Sequence, residues 1–348
     1  MSRPGWWRAA AAIENNDGLG LRRSRACRLF DDIDRRAPAV RIGAISAIYS
    51  QALSGLIAGV TTKRAVTAAK EGGVQPMGSD IKQRLAAGDT LVGAVINIVH
   101  PTMIELCCGA GADFLFLDFE HGLRDFSDIA NGLIVAELCG VPALVRIGEK
   151  SENLVARMLD AGAAGILFSH VSTAAEAEQL VSWCRYKPLG VRGSGVARGF
   201  LRHQGNEYDR RQQASRDVVC MMIVEDLKGA ENLEAILAVE GVTGVAIGPG
   251  DLSMELGVDR WDHPKVQQML DRMAATVRKV PGRGLLRLCL SRDDAPPLMA
   301  SGANMLLATH DVHLIKDMYA RLMSDFHQAI AATPTIPRTD PAGPSNET

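Results

Sequence analysis

A strong charge of either sign is missing from this 348-residue chain, in which 38 Lys and Arg stand against 40 Asp and Glu for a net charge of −2. Nucleic-acid binding by bulk charge is excluded on that ground, because phosphate contacts demand a basic excess. Cysteines at ligand or redox spacing are also missing. The seven that occur (27, 107, 108, 139, 184, 220 and 289) form no CxxC and no Cys/His pattern. Most lie in apolar runs, where a free thiol behaves as a small hydrophobe, so a reducing, cytoplasmic setting is expected. The adjacent Cys107 and Cys108 are read as core rather than redox residues. No secretory signal stands at the start, since residues 1–13 carry two Trp and two Arg and no apolar centre. A clean membrane span is lacking too. Residues 42–62 are uncharged, but six Ser, Thr and Gln residues and three glycines dilute them, and no membrane partner is expected. Asp31, Asp32 and Asp34 argue against a transit peptide.

Hydrophobic residues, by contrast, make up 47% of the chain, enough for a substantial core and too many for a disordered chain. The charge is unevenly spread. Residues 1–76 hold twelve Lys and Arg against six Asp and Glu (+6), and the remainder holds 26 against 34 (−8). Two readings suit the basic stretch: a disordered extension, or upstream sequence ahead of a domain that starts at Met77-Gly78-Ser79. The second is the expectation. Residues 77–330 are read as one domain and 331–348, with four prolines among polar residues, as a disordered tail.

From residue 79 onward short apolar runs alternate with amphipathic stretches. Eight runs are strand candidates: 91–96, 114–117, 142–145, 165–168, 218–224, 244–247, 285–290 and 304–308. Helix-like segments lie between them, as at 152–161, 174–183, 230–238 and 263–280, with N-cap signals at Ser151 and at Ser172/Thr173. Strand alternating with helix implies parallel strands, and eight units over 248 residues match a (β/α)8 TIM barrel. The competing arrangement, a doubly wound open sheet, would carry a glycine-rich GxGxxG after the first strand. Asn97-Ile98-Val99-His100-Pro101 stands there instead.

Barrel chemistry sits at the C-terminal ends of strands. The residues there are Asp118, Glu120 and His121 after the second run, Arg146 after the third and Glu225 after the fifth. Gly248-Pro249-Gly250-Asp251 follows the sixth, and His310 and Asp311 follow the eighth. Each has an ordinary structural use: a helix cap for Asp118 or Asp251, a loop position for His121, an ion pair for Arg146 or Glu225, a tight turn for the glycines. As a set they have a chemical logic. Two carboxylates suit a hard divalent cation such as Mg²⁺ or Mn²⁺, which a 2-oxo acid can chelate. The cation draws electron density from the keto group, and loss of a proton from the next carbon gives an enolate. Arg146 is expected to hold the enolate oxygen, His121 oriented by Asp118 to move the proton, and the N–H groups of Gly250 and Asp251 to receive the substrate carboxylate. No strand run contains the lysine that an imine route needs.

These residues carry a resemblance. The segments 109–113 (GAGAD) and Leu117-Asp118-Phe119-Glu120-His121, then Val145-Arg146, 190–193 (GVRG), Val224-Glu225 and 247–253 (IGPGDLS), in that order, are similar to the HpcH/HpaI aldolases. These are metal-dependent class II pyruvate aldolases of the phosphoenolpyruvate/pyruvate barrel superfamily, typified by 4-hydroxy-2-oxoheptanedioate aldolase. The resemblance covers about residues 80–325. It implies metal ligands at Glu225 and Asp251, a catalytic His121 with Asp118 as its partner, and a pyruvate-holding Arg146. It also implies substrate-carboxylate amides at Gly250 and Asp251, Mg²⁺, Mn²⁺ or Co²⁺ as cofactor, and a homohexamer that exchanges its last helix, here about residues 316–331. The implied activity is cleavage of 4-hydroxy-2-oxo acids to pyruvate and an aldehyde through a metal-bound enolate. The alternatives are a citrate-forming synthase or thioester lyase, and a barrel that binds a 2-oxo acid without turnover. There are three departures, of which Ile223 and His170 lie near the expected pocket. Ile223 replaces a frequent Gln, Phe168-Ser169-His170 replaces V-P-M, and Ile147-Gly148-Glu149 lacks a frequent proline. His310 is read as a solvated loop residue, with contact to the acceptor aldehyde as the alternative. Arg124 and Arg192 are candidates for the distal end of a substrate.

Overall fold

Alternation along the strands divides the core in two. The structure, a computed structural model, describes residues 77–122 and 124–333. The basic stretch 1–76, with its uncharged segment 42–62, and residues 334–348 lie outside the described residues. Eight strands form a closed parallel barrel in which each pairs with the next and the last returns to the first: β1 Leu91–Ile96, β2 Phe114–Asp118, β3 Ala143–Ile147, β4 Gly165–Phe168, β5 Val219–Val224, β6 Gly244–Ile247, β7 Gly284–Leu288 and β8 Met305–His310. Every strand is thus followed by helix on the way to its parallel neighbour, as this fold requires.

One set of alternate residues fills the interior: Leu91, Val95, Phe114, Phe116, Leu144 and Leu167, continued by Met221 and Ile223 of β5. The other set, among them Leu115, Leu117, Val145, Ile166 and Phe168, packs outward against the helices. Gly93 takes an interior place because a Cβ there would stand 2.4 Å from the Phe114 ring. Helix α1 (Met77–Ala86) contributes Ile81 and Leu85 to the interior cluster. It crosses the N-terminal end of the barrel, where Arg84 pairs with Asp113 at 2.8 Å and Lys82 donates to the Arg216 carbonyl at 2.6 Å.

The outer helices between β1 and β5 are α2 (Pro101–Gly109), α3 (Phe126–Leu138), α4 (Glu152–Ala161), α5 (Ala174–Cys184), α6 (Arg198–Leu201) and α7 (Glu207–Asp217). Beyond β5 come α8 (Leu227–Glu231), α9 (Leu233–Ala238), α10 (Pro249–Glu255), α11 (Pro264–Val277), α12 (Ala295–Ser301) and α13 (Asp311–Ala332). Ser151 caps α4 as its sequence suggests, and Thr173, not Ser172, caps α5 in a reciprocal box with Glu176. The expected helix at 230–238 is instead α8 and α9, broken at Asn232, whose side-chain amide donates to the Ser172 carbonyl at 2.9 Å. Cys107 and Cys108 are half-buried against the outer core, and burial pushes the Cys108 thiol up, as for a packing residue. No described helix is long and apolar enough to cross a membrane.

Candidate active site

The interior parity of each strand, continued to its C-terminal end, selects the side chains of the barrel mouth. Phe116 leads two residues on to Asp118, Leu144 to Arg146, Leu167 to Ser169 and Ile223 to Glu225. Asp118 and Arg146 are register partners on β2 and β3. Their side chains form a fork, Arg146 Nε to Asp118 Oδ1 at 2.9 Å and Nη2 to Oδ2 at 2.6 Å. Asp118 is fully buried. Burial pushes its carboxyl up, but the hydrogen bonds and charge of Arg146, with the N–H groups of His121 and Glu120, outweigh this and hold it below the usual carboxylate range. The guanidinium also lies over the Phe116 ring, 5.4 Å from its centre, so its plane is set from two sides.

His121 is placed differently from the expected dyad. Its backbone N–H, not its ring, meets Asp118 Oδ1 at 3.2 Å. The imidazole opens to solvent, 69% exposed, with Nε2 3.8 Å from Glu120 Oε2. The Asp118 carboxylate is already taken by Arg146, which arrives in register on the neighbouring strand. Asp118 therefore orients the guanidinium and the loop rather than the imidazole. Arg124 is occupied as well. It donates to the carbonyls of Asn97, Asp118 and His121, which folds the loop after β2 back on the barrel rim.

Glu225 and Asp251 come together on the opposite side of the mouth. One donor atom from each and one from His170 lie within 4.8 Å of one another. Burial pushes the Glu225 carboxyl up, the N–H and ring of His170 act against this, and nearby Asp251 and Glu120 push it further up. A buried carboxylate beside two others is costly without a cation among them. Gly248 makes the approach: a Cβ there would stand 2.5 Å from Glu225 Oε2. Gly250 and Asp251 lie in the first turn of α10, which has Gly248 as N-cap, Pro249 at its start and no side-chain cap. First-turn N–H groups have no partner within the helix and are ready for an anion. The paired carboxylate oxygens fit a divalent cation, and Glu225 and Asp251 are the residues that would hold it.

Residues 93–317 match the HpcH/HpaI aldolase/citrate lyase family. The chain belongs to that family. It is thus a carbon–carbon lyase of the HpcH/HpaI type. It is 33% identical over 239 residues to the 2-keto-3-deoxy-L-rhamnonate aldolase of Salmonella gallinarum, covering 68% of this chain and 89% of that one. Among solved structures, an HpcH/HpaI aldolase from Desulfitobacterium hafniense superposes with a TM-score of 0.67 at 30% identity, covering 73% of this chain and 97% of that one. The citrate synthase SbnG gives 0.64 at 25% identity, covering 72% and 98%.

Further side chains of the HpcH/HpaI barrel join the fork. Asn97, the interior successor of Val95, donates from Nδ2 to Asp118 Oδ2 at 3.0 Å, and its Oδ1 lies 2.6 Å from His310 Nδ1. His310 is therefore the last residue of β8, half-buried and tied to the fork, and not a solvated loop residue. Strand β8 reaches it because its pairing with β1 shifts register after Ala94, so that Val95 faces His310. Burial, helped by His313 and Arg146, holds its ring below the usual imidazole value. Asp311 accepts the N–H groups of Asn97 and Ile98 at 2.9 Å and fixes the loop after β1. Ser169 donates to Glu120 Oε2 at 2.6 Å. The signal for Asn97 and Ser169 was their even spacing from interior residues. Arg192 stands elsewhere. It pairs with Asp160 at 2.7 Å, stacks on Tyr186 and lines a small cavity beside Ala164 and Val218, the residues that precede β4 and β5, at the other end of the barrel.

Proposed function

We propose that this chain cleaves 4-hydroxy-2-oxo acids to pyruvate and an aldehyde. The observation that carries this is the mouth itself. A guanidinium locked by a buried carboxylate faces a carboxylate pair that lies beside an uncapped helix start. The acid in the name of the Salmonella relative is of this class. A 2-keto-3-deoxy acid has its ketone at C2, a methylene at C3 and a hydroxyl at C4. A citrate-forming synthase, suggested by the neighbour SbnG, is the second reading and uses an enolate of the same kind.

In the proposed reaction the first-turn N–H groups of Gly250 and Asp251 receive the substrate carboxylate. The Arg146 fork spends Nε and one Nη2 proton on Asp118, and its remaining donors hold the C2 oxygen as negative charge grows there. His121, whose exposed ring stands beside Glu120, takes the proton of the C4 hydroxyl, directly or through a water. The C3–C4 bond then breaks, its electron pair staying with C3 as the enolate while C4 leaves as the aldehyde. The proton is returned to C3 to give pyruvate. A divalent cation held by Glu225 and Asp251, for which Mg²⁺, Mn²⁺ and Co²⁺ are the candidates, supplies Lewis acidity toward the keto oxygen when bound.

The test is a panel of 4-hydroxy-2-oxo acids of different length and terminal group, followed by pyruvate release. Chelator-treated protein should fall silent and recover with Mn²⁺ or Mg²⁺. Full activity of Glu225→Ala overturns the proposal, and a strict need for an acyl-CoA co-substrate moves it to the second reading. We further propose a cytoplasmic homo-oligomer, a hexamer by family resemblance. The free thiols at Cys107, Cys108, Cys139, Cys184, Cys220 and Cys289 support a reducing setting. Helix α13 supports assembly, because its apolar side chains are left exposed in the single chain.

A further inference from the structure

His170 has a backbone conformation that an L-residue adopts only at a cost. Its φ of +57° is the left-handed value seen at no other non-glycine position among the described residues. Such outliers persist where surrounding contacts over-determine them, and they concentrate at functional sites. Three contacts fix this one. The His170 N–H donates to Glu225 Oε1 at 2.9 Å, the ring Nδ1 lies 2.9 Å from the same oxygen, and the His170 carbonyl accepts from Lys150 Nζ at 2.6 Å. The other ring nitrogen, Nε2, lies 3.3 Å from Glu120 Oε1, and Ser169 and Arg146 hold the second oxygen of Glu120. An imidazole flanked in this way, one nitrogen at a ligand carboxylate and the other at a supported carboxylate, has the form of a carboxylate–histidine–metal arrangement. Ligands side by side on one small cation at about 2.1 Å stand about 3 Å apart, close to the separation of Nδ1 and Glu225 Oε1.

Building on the proposed cation site, we infer that His170 Nδ1 is a third protein ligand beside Glu225 and Asp251. It turns a site with oxygen ligands alone into one that favours nitrogen-seeking cations such as Co²⁺ over Mg²⁺. With its proton on Nε2, pointed at Glu120 Oε1 3.3 Å away, the ring takes the tautomer that leaves Nδ1 free. Imidazole suits the later first-row ions, whereas carboxylate, carbonyl and water suit Mg²⁺, so the extra ligand acts on selectivity more than on the presence of a site.

The experiment uses chelator-stripped full-length protein titrated calorimetrically with MgCl₂ and CoCl₂, as wild type, His170→Gly and Glu225→Gln. Glycine accepts the left-handed backbone, so the ring is removed without new strain. Wild type should prefer Co²⁺, and His170→Gly should lose at least ~10-fold in Co²⁺ affinity, in the range that ligand-supporting residues alone command, while Mg²⁺ affinity changes little. A second readout needs neither turnover nor a variant: electron spin-echo spectra of the Mn²⁺-loaded wild type should show an imidazole-nitrogen coupling. Absence of that coupling, or Co²⁺ binding by His170→Gly that is unchanged or tighter, overturns the inference. The tighter case is the result for a ring that only bridges the two carboxylates. Binding abolished by Glu225→Gln but intact in His170→Gly sinks the third ligand alone. Failure of the wild type to bind either cation sinks the cation site with it.

Discussion

Arg146 and Asp118 are cross-strand partners whose fork uses both carboxylate oxygens at once, so the site depends on the planar guanidinium. Lysine brings one ammonium and cannot make both bonds. Arg146→Lys should therefore keep the fold and lose on the order of 10²–10³ in kcat, the scale of a lost oxyanion donor. Steady-state pyruvate release and a thermal melt on the same sample check the two halves of that statement. Gly248 is a second sensitive position. Its replacement by Ala sets a Cβ 2.5 Å from Glu225 Oε2 and 2.8 Å from Glu225 Cβ, so the carboxylate must turn away. A displacement of this kind costs about 10²-fold in rate, and cation affinity measured by calorimetry should fall with it.

Helix ends and helix contacts set the next level. Thr173 caps α5 in a box with Glu176, and Lys150 from the loop after β3 pairs with Glu176 at 3.0 Å. Thr173→Ala should cost about 1 kcal/mol, read as a lower urea midpoint with no change in slope. His203 lies between α6 and α7. Burial, then the charges of Arg202 and Arg192, bring its ring from the ordinary 6.5 down to about 4. The folded chain keeps it neutral where the unfolded chain takes up a proton. Its contribution is thus complete above pH 6.5 and is lost as pH falls toward about 4. The slope is at most ~1.4 kcal/mol per pH unit for one proton. Urea midpoints between those limits should fall less steeply in His203→Gln than in wild type.

For the whole molecule, the 22 residues of α13 bury only Asp311. Leu314, Met318, Leu322, Phe326 and Ile330 recur at every fourth position and all are exposed, a stripe wide enough to seat another helix. Phe326→Asp should lower the mass seen by light scattering toward that of one chain, and an unchanged mass would place the contact elsewhere. The barrel closes on itself within the described residues, and α1 fills its N-terminal end with Ile81 and Leu85. Residues 77–333 expressed alone should therefore retain a cooperative melt and pyruvate release. Loss of either would show that residues outside this span complete the fold or the site.

The eight apolar runs, their order, and the polar residues that follow them could all be read along the chain, because alternation of strand and helix is a local signal. The strand-end positions of Glu225 and Asp251 are legible for the same reason: each follows an apolar run bounded by polar residues and glycine. What lay beyond the sequence was partnership. Asp118 stands three residues before His121 in the chain, yet its carboxylate takes only the backbone N–H of His121 and is forked by Arg146, which a parallel strand brings into register beside it. Asn97 meets Asp118 through the register of β1 and β2, and His310 meets Asn97 only through closure of β8 onto β1 with a shifted register. Arg192, a plausible site residue by motif, fell at the opposite end of the barrel because it lies beyond helix α5, on the return of the chain toward the start of β5. Periodicity is written residue by residue, but register and closure depend on how all eight strands tilt and pack around one interior. Only the tertiary structure decides them.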